Sequence, residues 1–399
     1  MSRTSSPARA FLGIFGIQPH RITIPSTSSM KAARLIELGK PLQVLQVEEP
    51  KLTHPGSVKL RVKAAYMARF AGQALSGQFG ALKYHFPELP VTPGPVSIGI
   101  IEDFSDDVLD LNRGDTVVVG NCVSTGNLKD DRILIGWTKV GQLAGRTQDI
   151  YKDGACAEKM IVPATGIHLI PKVLTELYSY HELAALSYMS ISYGAILRGD
   201  LRAGQVVIVN GSTGAIGAGV VMLCLAMGAS KVIAVGRDRE TLDKLRELDA
   251  RRVVTVALDA PIAMKKQEIQ RVAAEVDFPD HQGANLLVDC VGGADVTPES
   301  TMACLESLKR KGVAVLVGGF AVPLPLSYHY VVHKALDIRG SFMLEDTRSY
   351  GDLMRMVMGG QIDLKKFNIL PFSLDRMNEA VGVAAKIKGL DYVVVDPSV

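Results

Sequence analysis

The spacing of hydrophobic positions changes twice along the chain. Between residues 30 and 171, short apolar runs of strand composition alternate with Gly, Pro and Asp turn signals. From about Thr175 the spacing becomes helical, and apolar strands then alternate with helices. Near Gly340 the pattern is mixed again, and it ends in a strand-like run at residues 392–395. This order predicts a β-rich domain that is interrupted by an α/β domain and completed by the C-terminal residues.

These periods predict particular elements. In the β-rich part the predicted strands are residues 58–62, 97–104, 116–119 and 157–162. In the α/β part the predicted helices are residues 177–197, 216–227 and 240–248, and the predicted strands are residues 206–209, 231–235, 253–256, 286–290 and 313–317. Strands that alternate with helices in this way predict a parallel, doubly wound sheet with both faces covered.

Composition and charge exclude several classes of protein. The 399 residues suggest two or three domains, and a hydrophobic content of 47% is ordinary for a globular protein with a large core. The 44 basic and 41 acidic residues leave a net charge of +3, so neither nucleic acid nor an anionic membrane is an expected partner. The longest apolar stretch, residues 218–229, is shorter than the roughly 20 residues of a membrane span.

The five cysteines are far apart, and no two of them have metal-ligand spacing. They are Cys122, Cys156, Cys224, Cys290 and Cys304. Three of them lie in apolar runs, where a thiol behaves as a small hydrophobic group. A reducing compartment is therefore expected.

Residues 1–29 differ in composition from the rest of the chain. They are rich in Ser, they contain three arginines, and no Asp or Glu occurs before Glu37. Such a composition is typical of a mitochondrial transit peptide, although the prolines are not. The alternative is a disordered extension ahead of a domain that begins near Met30. If residues 1–29 are only a disordered extension, the protein is expected in the cytoplasm. If they are a transit peptide, it is expected in mitochondria.

The strongest candidate for chemistry is a glycine-rich turn that follows an apolar strand. Residues 206–209 run through Asn210 into this turn, and an apolar helix follows. Glycines permit the tight turn and the close approach of the backbone to a pyrophosphate, whose charge then lies at the helix N-terminus. We therefore predict a dinucleotide site in this turn. Its residues are Gly211, Ser212, Thr213, Gly214, Ala215, Ile216 and Gly217.

The end of the next predicted strand bears on the choice of cofactor. An NAD site usually has an acidic residue about 20 positions after the glycine turn, where it binds the ribose 2′-hydroxyl. Here that position is Gly236, and Arg237 follows it. A small residue leaves room for a 2′-phosphate and a guanidinium can bind it, with Arg239 as a second candidate. NADPH is thus favoured, while Asp238 keeps NAD as the alternative.

Several motifs together resemble the medium-chain dehydrogenase/reductase superfamily, and the resemblance covers residues 30–399. The motifs are residues 112–118 (NRGDTVV), 154–158 (GACAE), 193–194 (YG), 206–217 and 315–319 (VLVGG). The resemblance implies an α/β fold in which a Rossmann domain, residues 175–339, is inserted in a GroES-like substrate domain, residues 30–174 and 340–399. It also implies a homodimer, because the sheets of this family commonly pair edge to edge.

The same resemblance assigns residues to the nicotinamide end of the cofactor. Gly318 and Gly319 are expected where the region between the fourth and fifth strands meets the nicotinamide. Cys290 and Val291 are expected near it, and Phe342 is expected among the cofactor-binding residues.

The chain departs from the zinc-dependent members of the family. Those enzymes supply zinc ligands from a Cys, a Gly-His-Glu motif and a second Cys, and keep one coordination position open. The corresponding positions here are Ala68, Gly94-Pro95-Val96 and Ser187. Cys122 stands alone where a four-Cys structural zinc loop would lie. No metal is therefore expected.

The zinc-free branch of the family includes quinone oxidoreductases and enoyl reductases. The resemblance thus implies hydride transfer from NADPH to a quinone or to a carbonyl-conjugated double bond. Mitochondrial-type enoyl reductases have a tyrosine in an Asn-Tyr-Gly-like segment, whereas residues 78–80 read Gln-Phe-Gly. The candidate proton donors are instead Tyr66 and Tyr84, with His85 and Tyr193 as nearby substitutes and solvent as the alternative.

Two further interpretations stay open. The missing zinc ligands and the missing tyrosine are compatible with a catalytically silent NADPH-binding sensor or scaffold. The second interpretation is an accessory enoyl or carbonyl reductase of secondary metabolism. The irregular polar insertion at residues 122–151, which contains Trp137, could shape a pocket for a larger substrate. Turnover with an activated alkene or a quinone separates an enzyme from a sensor.

Overall fold

The computed structural model describes residues 28–77, 85–124, 132–141, 144–275, 283–293, 297–319, 322–343 and 349–399. The strands in these residues are β1 (Ser29–Arg34), β2 (Gln43–Glu48), β3 (Ser57–Met67), β4 (Ser97–Phe104), β5 (Thr116–Val119), β6 (Val123–Ser124), β7 (Arg132–Leu134), β8 (Thr138–Val140), β9 (Lys159–Pro163), β10 (Ile167–Leu169), β11 (Val206–Asn210), β12 (Lys231–Gly236), β13 (Val253–Ala257), β14 (Ala284–Asp289), β15 (Leu308–Leu316), β16 (Asp337–Gly340), β17 (Asn368–Ser373) and β18 (Asp391–Asp396). The α-helices are α1 (Ala71–Leu75), α2 (Gly145–Ile150), α3 (Lys172–Leu177), α4 (Tyr180–Leu183), α5 (Ala185–Gly199), α6 (Ala215–Ala226), α7 (Arg239–Leu248), α8 (Ile262–Glu275), α9 (Glu299–Glu306), α10 (Tyr328–Lys334), α11 (Ser349–Met358) and α12 (Met377–Ala384).

The α/β part forms one parallel sheet in the order β13-β12-β11-β14-β15-β16. β11 lies inside the sheet and every one of its residues is buried, as expected of a strand covered on both faces. Val207 and Val209 face the apolar layer that contains α5 and α6, whereas Val206 and Ile208 face the layer that contains α8 and α9. The strand order reverses between β11 and β14, and ligands of open α/β sheets bind at such a switch point.

The β-rich part is built around a second sheet in the order β10-β5-β4-β3-β18-β17, with β9 also paired to β3. The C-terminal strand β18 runs antiparallel to β3, with Val394 opposite Tyr66. The C-terminal residues therefore complete a sheet that the N-terminal residues begin. This topology confirms the predicted fold class, a doubly wound parallel sheet inserted in a β-rich domain.

Several predicted elements were wrong at their boundaries. The strand predicted at residues 58–62 extends as β3 to Met67. The single helix predicted at residues 177–197 is interrupted, because Ser179 and Glu182 form a capping box that begins α4 anew after α3 has ended. β15 begins at Leu308 instead of residue 313. Its early residues Lys309–Lys311 are polar and partly exposed, so they carry no apolar signal.

Several sequence-based expectations fall partly or wholly outside the described residues. Of the extension predicted at residues 1–29, only the last two residues are described. The described part of the insertion at residues 122–151 forms β6, β7, β8 and α2, with Trp137 buried edge-to-face against Phe70 at 5.4 Å. The domain boundaries at residues 174 and 339 stay predictions. None of the described helices has the length and apolar character needed to cross a membrane.

Candidate active site

The glycine-rich turn joins β11 to α6 and keeps its backbone accessible. Gly211 has φ +75°, and a Cβ there would lie 3.1 Å from the carbonyl carbon of Cys290. A Cβ on Gly217 would overlap the carbonyl oxygen of Gly211, so α6 packs directly on the turn. Among the described residues, no side chain caps α6 at Gly214 and no acidic residue lies in its first turn. This arrangement fits a pyrophosphate, because the first N–H groups of a helix lack partners within the helix.

Side chains beneath the turn fix it to the neighbouring strands. The N–H and the hydroxyl of Ser212 both donate to the carbonyl of Val235, at 3.0 Å each. Asn210 Nδ2 donates to Asp289 Oδ2 at 3.1 Å, and Asp289 Oδ1 accepts from the N–H of Val291 at 3.0 Å. Burial raises the pKa of the Asp289 carboxyl above its ordinary value. The turn, the end of β12 and the segment after β14 are therefore held in one rigid arrangement.

The first turn of α6 completes the predicted pyrophosphate site. Ala215 is buried, and Ile216 is half-buried with its carbonyl accepting from the hydroxyl of Ser192 on α5 at 2.8 Å. This bond ties the start of α6 to α5, so the helix N-terminus keeps its direction toward the turn.

The carboxyl end of β12 places the two predicted arginines in different surroundings. Gly236 lies directly against Thr213, since a Cβ on Gly236 would overlap the side chain of that threonine. Arg237 is exposed and has no ion-pair or hydrogen-bond partner among the described residues. Arg239 pairs with Asp259. Of the two, Arg237 is the one whose guanidinium is available to an anion.

Asp238 is the residue that would favour NAD as the cofactor, and its carboxylate already binds other residues of the protein. Its Oδ1 accepts from the N–H and the hydroxyl of Thr241, at 3.0 and 2.7 Å, and thereby caps α7. Its Oδ2 forms an ion pair with Lys388. The hydrogen bond from Lys388, and to a smaller extent those from Thr241, keep the pKa of Asp238 well below its usual range. Both carboxylate oxygens therefore have protein partners.

Of the residues predicted at the nicotinamide end, all but Phe342 lie where the segments after β14 and β15 meet. The N–H of Gly318 donates to the carbonyl of the last residue of β14 at 3.0 Å, and a Cβ on Gly318 would overlap the carbonyl oxygen of Val291. Gly319 has an open side, where no described atom would lie within 4 Å of a Cβ. Cys290 is half-buried, and burial raises the pKa of its thiol. Phe342 is exposed and lies just after β16.

Tyr66 is the one of the two predicted proton donors that lies within the described residues, and Tyr84 lies outside them. The Tyr66 ring packs edge-to-face on Tyr188 at 5.6 Å. Tyr66 is 9% exposed, burial raises its pKa, and its hydroxyl has no hydrogen-bond partner in the described part of the chain. Burial raises the pKa of Tyr188 as well, with smaller effects from its neighbours Tyr66 and Cys290.

The two nearby substitutes, His85 and Tyr193, lie in different surroundings. The N–H of His85 donates to Thr138 Oγ1 at 2.9 Å, and Gln148 Nε2 donates to the carbonyl of His85 at 2.7 Å. Tyr193 is buried on α5, and this burial raises its pKa. Burial fits a packing role for Tyr193, whereas His85 is exposed and makes these two bonds through its backbone.

The side chains at the family's zinc positions do not fit a metal ion. Ala68 and Pro95 offer no donor atom, and Ser187 is buried on α5. Gly94 packs on Cys156, whose sulfur would lie 2.8 Å from a Cβ on that glycine, and burial raises the pKa of this thiol to about 12. Within the described ranges, no three His, Cys, Asp or Glu side chains are grouped as metal ligands.

Sequence reasoning missed a buried polar network beside Ser187. Asn121 Nδ2 donates to Ser190 Oγ at 2.5 Å, and Ser190 Oγ donates to the carbonyl of Ser187 at 2.6 Å. The N–H of Asn121 donates to the hydroxyl oxygen of Tyr350 at 3.3 Å. Asn121 Oδ1 and Ser187 Oγ are buried without a hydrogen-bond partner among the described residues. The sequence contained a signal, because Asn121 follows the apolar run of β5 after Gly120 alone.

A pocket of about 590 Å³ lies elsewhere, between β10 and α11. His168, Met354 and Arg355 are among its lining residues, and none of the sequence-predicted site residues is. His168 stacks on Tyr350 at 4.4 Å, and burial lowers the pKa of its imidazole to about 4. We do not assign this pocket to the hydride-transfer site, because the glycine turn and the Gly318 segment are absent from its lining.

Comparisons with known proteins agree with this fold. The alcohol dehydrogenase GroES-like domain family matches residues 54–172, and the zinc-binding dehydrogenase family matches residues 215–358. An NAD-dependent alcohol dehydrogenase of Saccharolobus solfataricus is 26% identical, over 92% of this chain and 100% of that protein. A quinone oxidoreductase-like protein 2 homolog of Nematostella vectensis is 24% identical, over 92% and 89%. The crystal structure of 2R,3R-butanediol dehydrogenase from Bacillus subtilis superposes with a TM-score of 0.74 at 21% identity, over 92% and 100%.

The fold and the family matches define an oxidoreductase of the class that binds NAD or NADP at a Rossmann domain. The chain belongs to the medium-chain dehydrogenase/reductase superfamily. One of its matching families is described as zinc-binding, whereas the resemblance assigns Ala68, Pro95 and Ser187 to the positions of the catalytic ligands.

Proposed function

We propose that this protein is an NADPH-dependent reductase that works without zinc and transfers hydride to a quinone or to a carbonyl-conjugated double bond. The observation that carries the proposal is the set of side chains at the zinc positions, Ala68, Pro95 and Ser187. A site without a Lewis acid does not polarise an isolated carbonyl strongly. Acceptors whose product anion is delocalised over a conjugated system need less help from the protein, and quinones and enones are such acceptors.

The preference for NADPH is supported by the carboxyl end of β12. Gly236 presents no carboxylate to a ribose, and both oxygens of Asp238 are engaged by Thr241 and Lys388. Arg237 is exposed beside them and suits a 2′-phosphate. The relative from Saccharolobus solfataricus is NAD-dependent by name, so family membership alone does not decide between the two cofactors.

The residues of the chain would bind the cofactor, orient its nicotinamide and protonate the product anion. When bound, the nicotinamide supplies the hydride. The glycine turn would hold the pyrophosphate, and the backbone of Gly318 and Gly319, with Val291 and Phe342, would border the nicotinamide. Tyr66 is proposed to give the proton that the enolate or hydroquinone anion takes up, with Tyr84 as the second candidate. A phenol with its ordinary pKa of about 10 is protonated at neutral pH, and burial raises the pKa of Tyr66 further.

The proposal is tested by following NADPH and NADH oxidation with a panel of quinones and enones, before and after dialysis against a chelator. We expect turnover with NADPH, a lower kcat/KM with NADH, and no loss of activity after chelation. Activity that disappears on chelation and returns with zinc would contradict the zinc-free mechanism. Tight NADPH binding without turnover of any acceptor would favour the silent cofactor-binding protein instead.

A further inference from the structure

We propose that Lys388, which lies just before the C-terminal strand β18, is a specificity-determining residue that binds the 2′-phosphate of NADPH together with Arg237. The inference rests on the proposed preference for NADPH, and it adds a residue from the β-rich part of the protein to a site otherwise formed by the Rossmann domain.

The turn that carries Lys388 is fixed against the cofactor domain at two points. The N–H of Gly389 donates to the carbonyl of Thr213, in the glycine-rich turn, at 2.9 Å. Gly389 also packs on Thr241 at the start of α7, since a Cβ on this glycine would lie 2.7 Å from Thr241 Cγ2. Its φ of +57° and this close approach both favour glycine. The backbone therefore holds Lys388 beside the end of β12.

The charges around the end of β12 single out two cations. The Lys388 ammonium pairs with Asp238, and its side chain remains 52% exposed. Arg237 lies next to Asp238 in the chain and is exposed. The other nearby cations pair with other carboxylates: Arg239 and Lys265 with Asp259, and Lys244 with Glu240. The 2′-substituent of the ribose binds at this end of the second strand, so it would meet Arg237 on one side and Lys388 on the other.

The ion pair with Asp238 does not prevent this role. An ammonium has three donors, and one contact to Asp238 leaves others for a phosphate oxygen. The same pairing offsets the negative charge of Asp238, which would otherwise repel a dianionic phosphate. With NADH, which has a hydroxyl at the 2′-position, Lys388 would have no phosphate to bind and would keep only its carboxylate partner.

The test compares Lys388→Gln, Lys388→Arg and Arg237→Ala with the unmodified protein. Dissociation constants for NADPH and NADH, and for adenosine 2′,5′-bisphosphate and 5′-AMP, are measured by titration calorimetry. We expect Lys388→Gln to weaken binding of both 2′-phosphorylated ligands about 10-fold or more and to leave NADH and 5′-AMP nearly unchanged. Lys388→Arg should keep most of the affinity. Lys386→Gln, an exposed lysine of the same segment, serves as the matched control.

A double variant, Asp238→Asn with Lys388→Gln, separates phosphate binding from charge neutralisation. Asparagine still caps a helix, so α7 should keep its start. If Lys388 binds the phosphate, the double variant stays weak toward NADPH. Recovery of NADPH affinity in the double variant would overturn the inference, because it would show that Lys388 acts only by neutralising Asp238.

The remaining outcomes distinguish an error about Lys388 from an error about the proposed preference for NADPH. If the unmodified protein prefers NADPH and Arg237→Ala removes that preference, while Lys388→Gln changes nothing or weakens both cofactors equally, the inference alone is wrong. If the unmodified protein binds NADPH and NADH equally well, the proposed cofactor preference is wrong, and the inference falls with it.

Discussion

Two serines one turn apart on α5 belong to the same buried network and have different hydrogen-bond partners. Ser190 accepts from Asn121 and donates to the carbonyl of Ser187, whereas Ser187 Oγ has no partner among the described residues. A buried hydroxyl without a partner keeps its desolvation cost and gains nothing in return. We therefore expect Ser187→Ala to raise the free energy of unfolding by about 1 kcal/mol, helped by the better helix propensity of alanine.

Ser190→Ala is the matched control for this prediction. It removes two hydrogen bonds and leaves the buried amide of Asn121 without an acceptor, so it should lower the free energy of unfolding by about 1 to 3 kcal/mol. Urea denaturation at constant m-value measures both changes. Equal destabilisation by the two substitutions would show that the Ser187 hydroxyl has a partner, such as a bound water.

At the scale of elements, the junction of β11 with α6 depends on a glycine that admits no side chain. A Cβ on Gly217 would overlap the carbonyl oxygen of Gly211, whereas at Gly382 in α12 no described atom would lie within 4 Å. We expect Gly217→Ala to lower the free energy of unfolding by about 1 to 3 kcal/mol and to weaken cofactor binding, because α6 must move away from the turn. Gly382→Ala should instead raise stability by about 0.5 to 1 kcal/mol.

Denaturation and cofactor titration of both glycine variants check this pair. A Gly217→Ala protein that binds NADPH as tightly as the unmodified chain would show that the turn tolerates displacement of the helix. The cofactor cradle would then not depend on the close packing seen in the structure.

The elements that the sequence predicted well are those whose burial is complete. The runs at residues 206–209 and 231–235 lie within β11 and β12, since strands covered on both faces read as continuous apolar segments. β2 was not predicted, because most of its residues are exposed in a two-stranded ribbon and show no apolar alternation. The predicted helix at residues 177–197 overlooked Ser179 and Glu182, whose capping box is a readable start signal.

At the scale of the whole molecule, the candidate site draws on parts of the chain that sequence spacing cannot connect. The glycine turn and Gly236-Arg237 were predictable, because a strand, a turn and a helix bring them together within about 30 residues. Lys388 is separated by 150 residues from Asp238, and tertiary contacts, such as the hydrogen bond of Gly389 to Thr213, bring it near. No local pattern marks such a contact, so the sequence indicated a dinucleotide site without indicating that Lys388 lies beside Asp238.

Assembly is the remaining property at this scale, and the sheet edge at β16 bears on it. β16 ends the order of the parallel sheet, so one side of it lacks a strand partner among the described residues. The neighbouring helix α10 exposes Tyr328 by 85% and Val332 by 58%. An unpaired edge beside exposed apolar side chains favours pairing with a second copy of the chain. The homodimer that the family resemblance implies would cover both features at once.

Val332→Asp tests this arrangement, with Met264→Asp as the control. Met264 is 63% exposed on α8, which packs beside β12 and β13 toward the opposite edge of the sheet. We expect sedimentation equilibrium at micromolar concentration to give twice the chain mass for the unmodified protein and for Met264→Asp. Val332→Asp should give the mass of a single chain, because its carboxylate would be buried in the interface without a partner. A monomeric unmodified protein would contradict the dimer, and a dimeric Val332→Asp would move the interface away from α10.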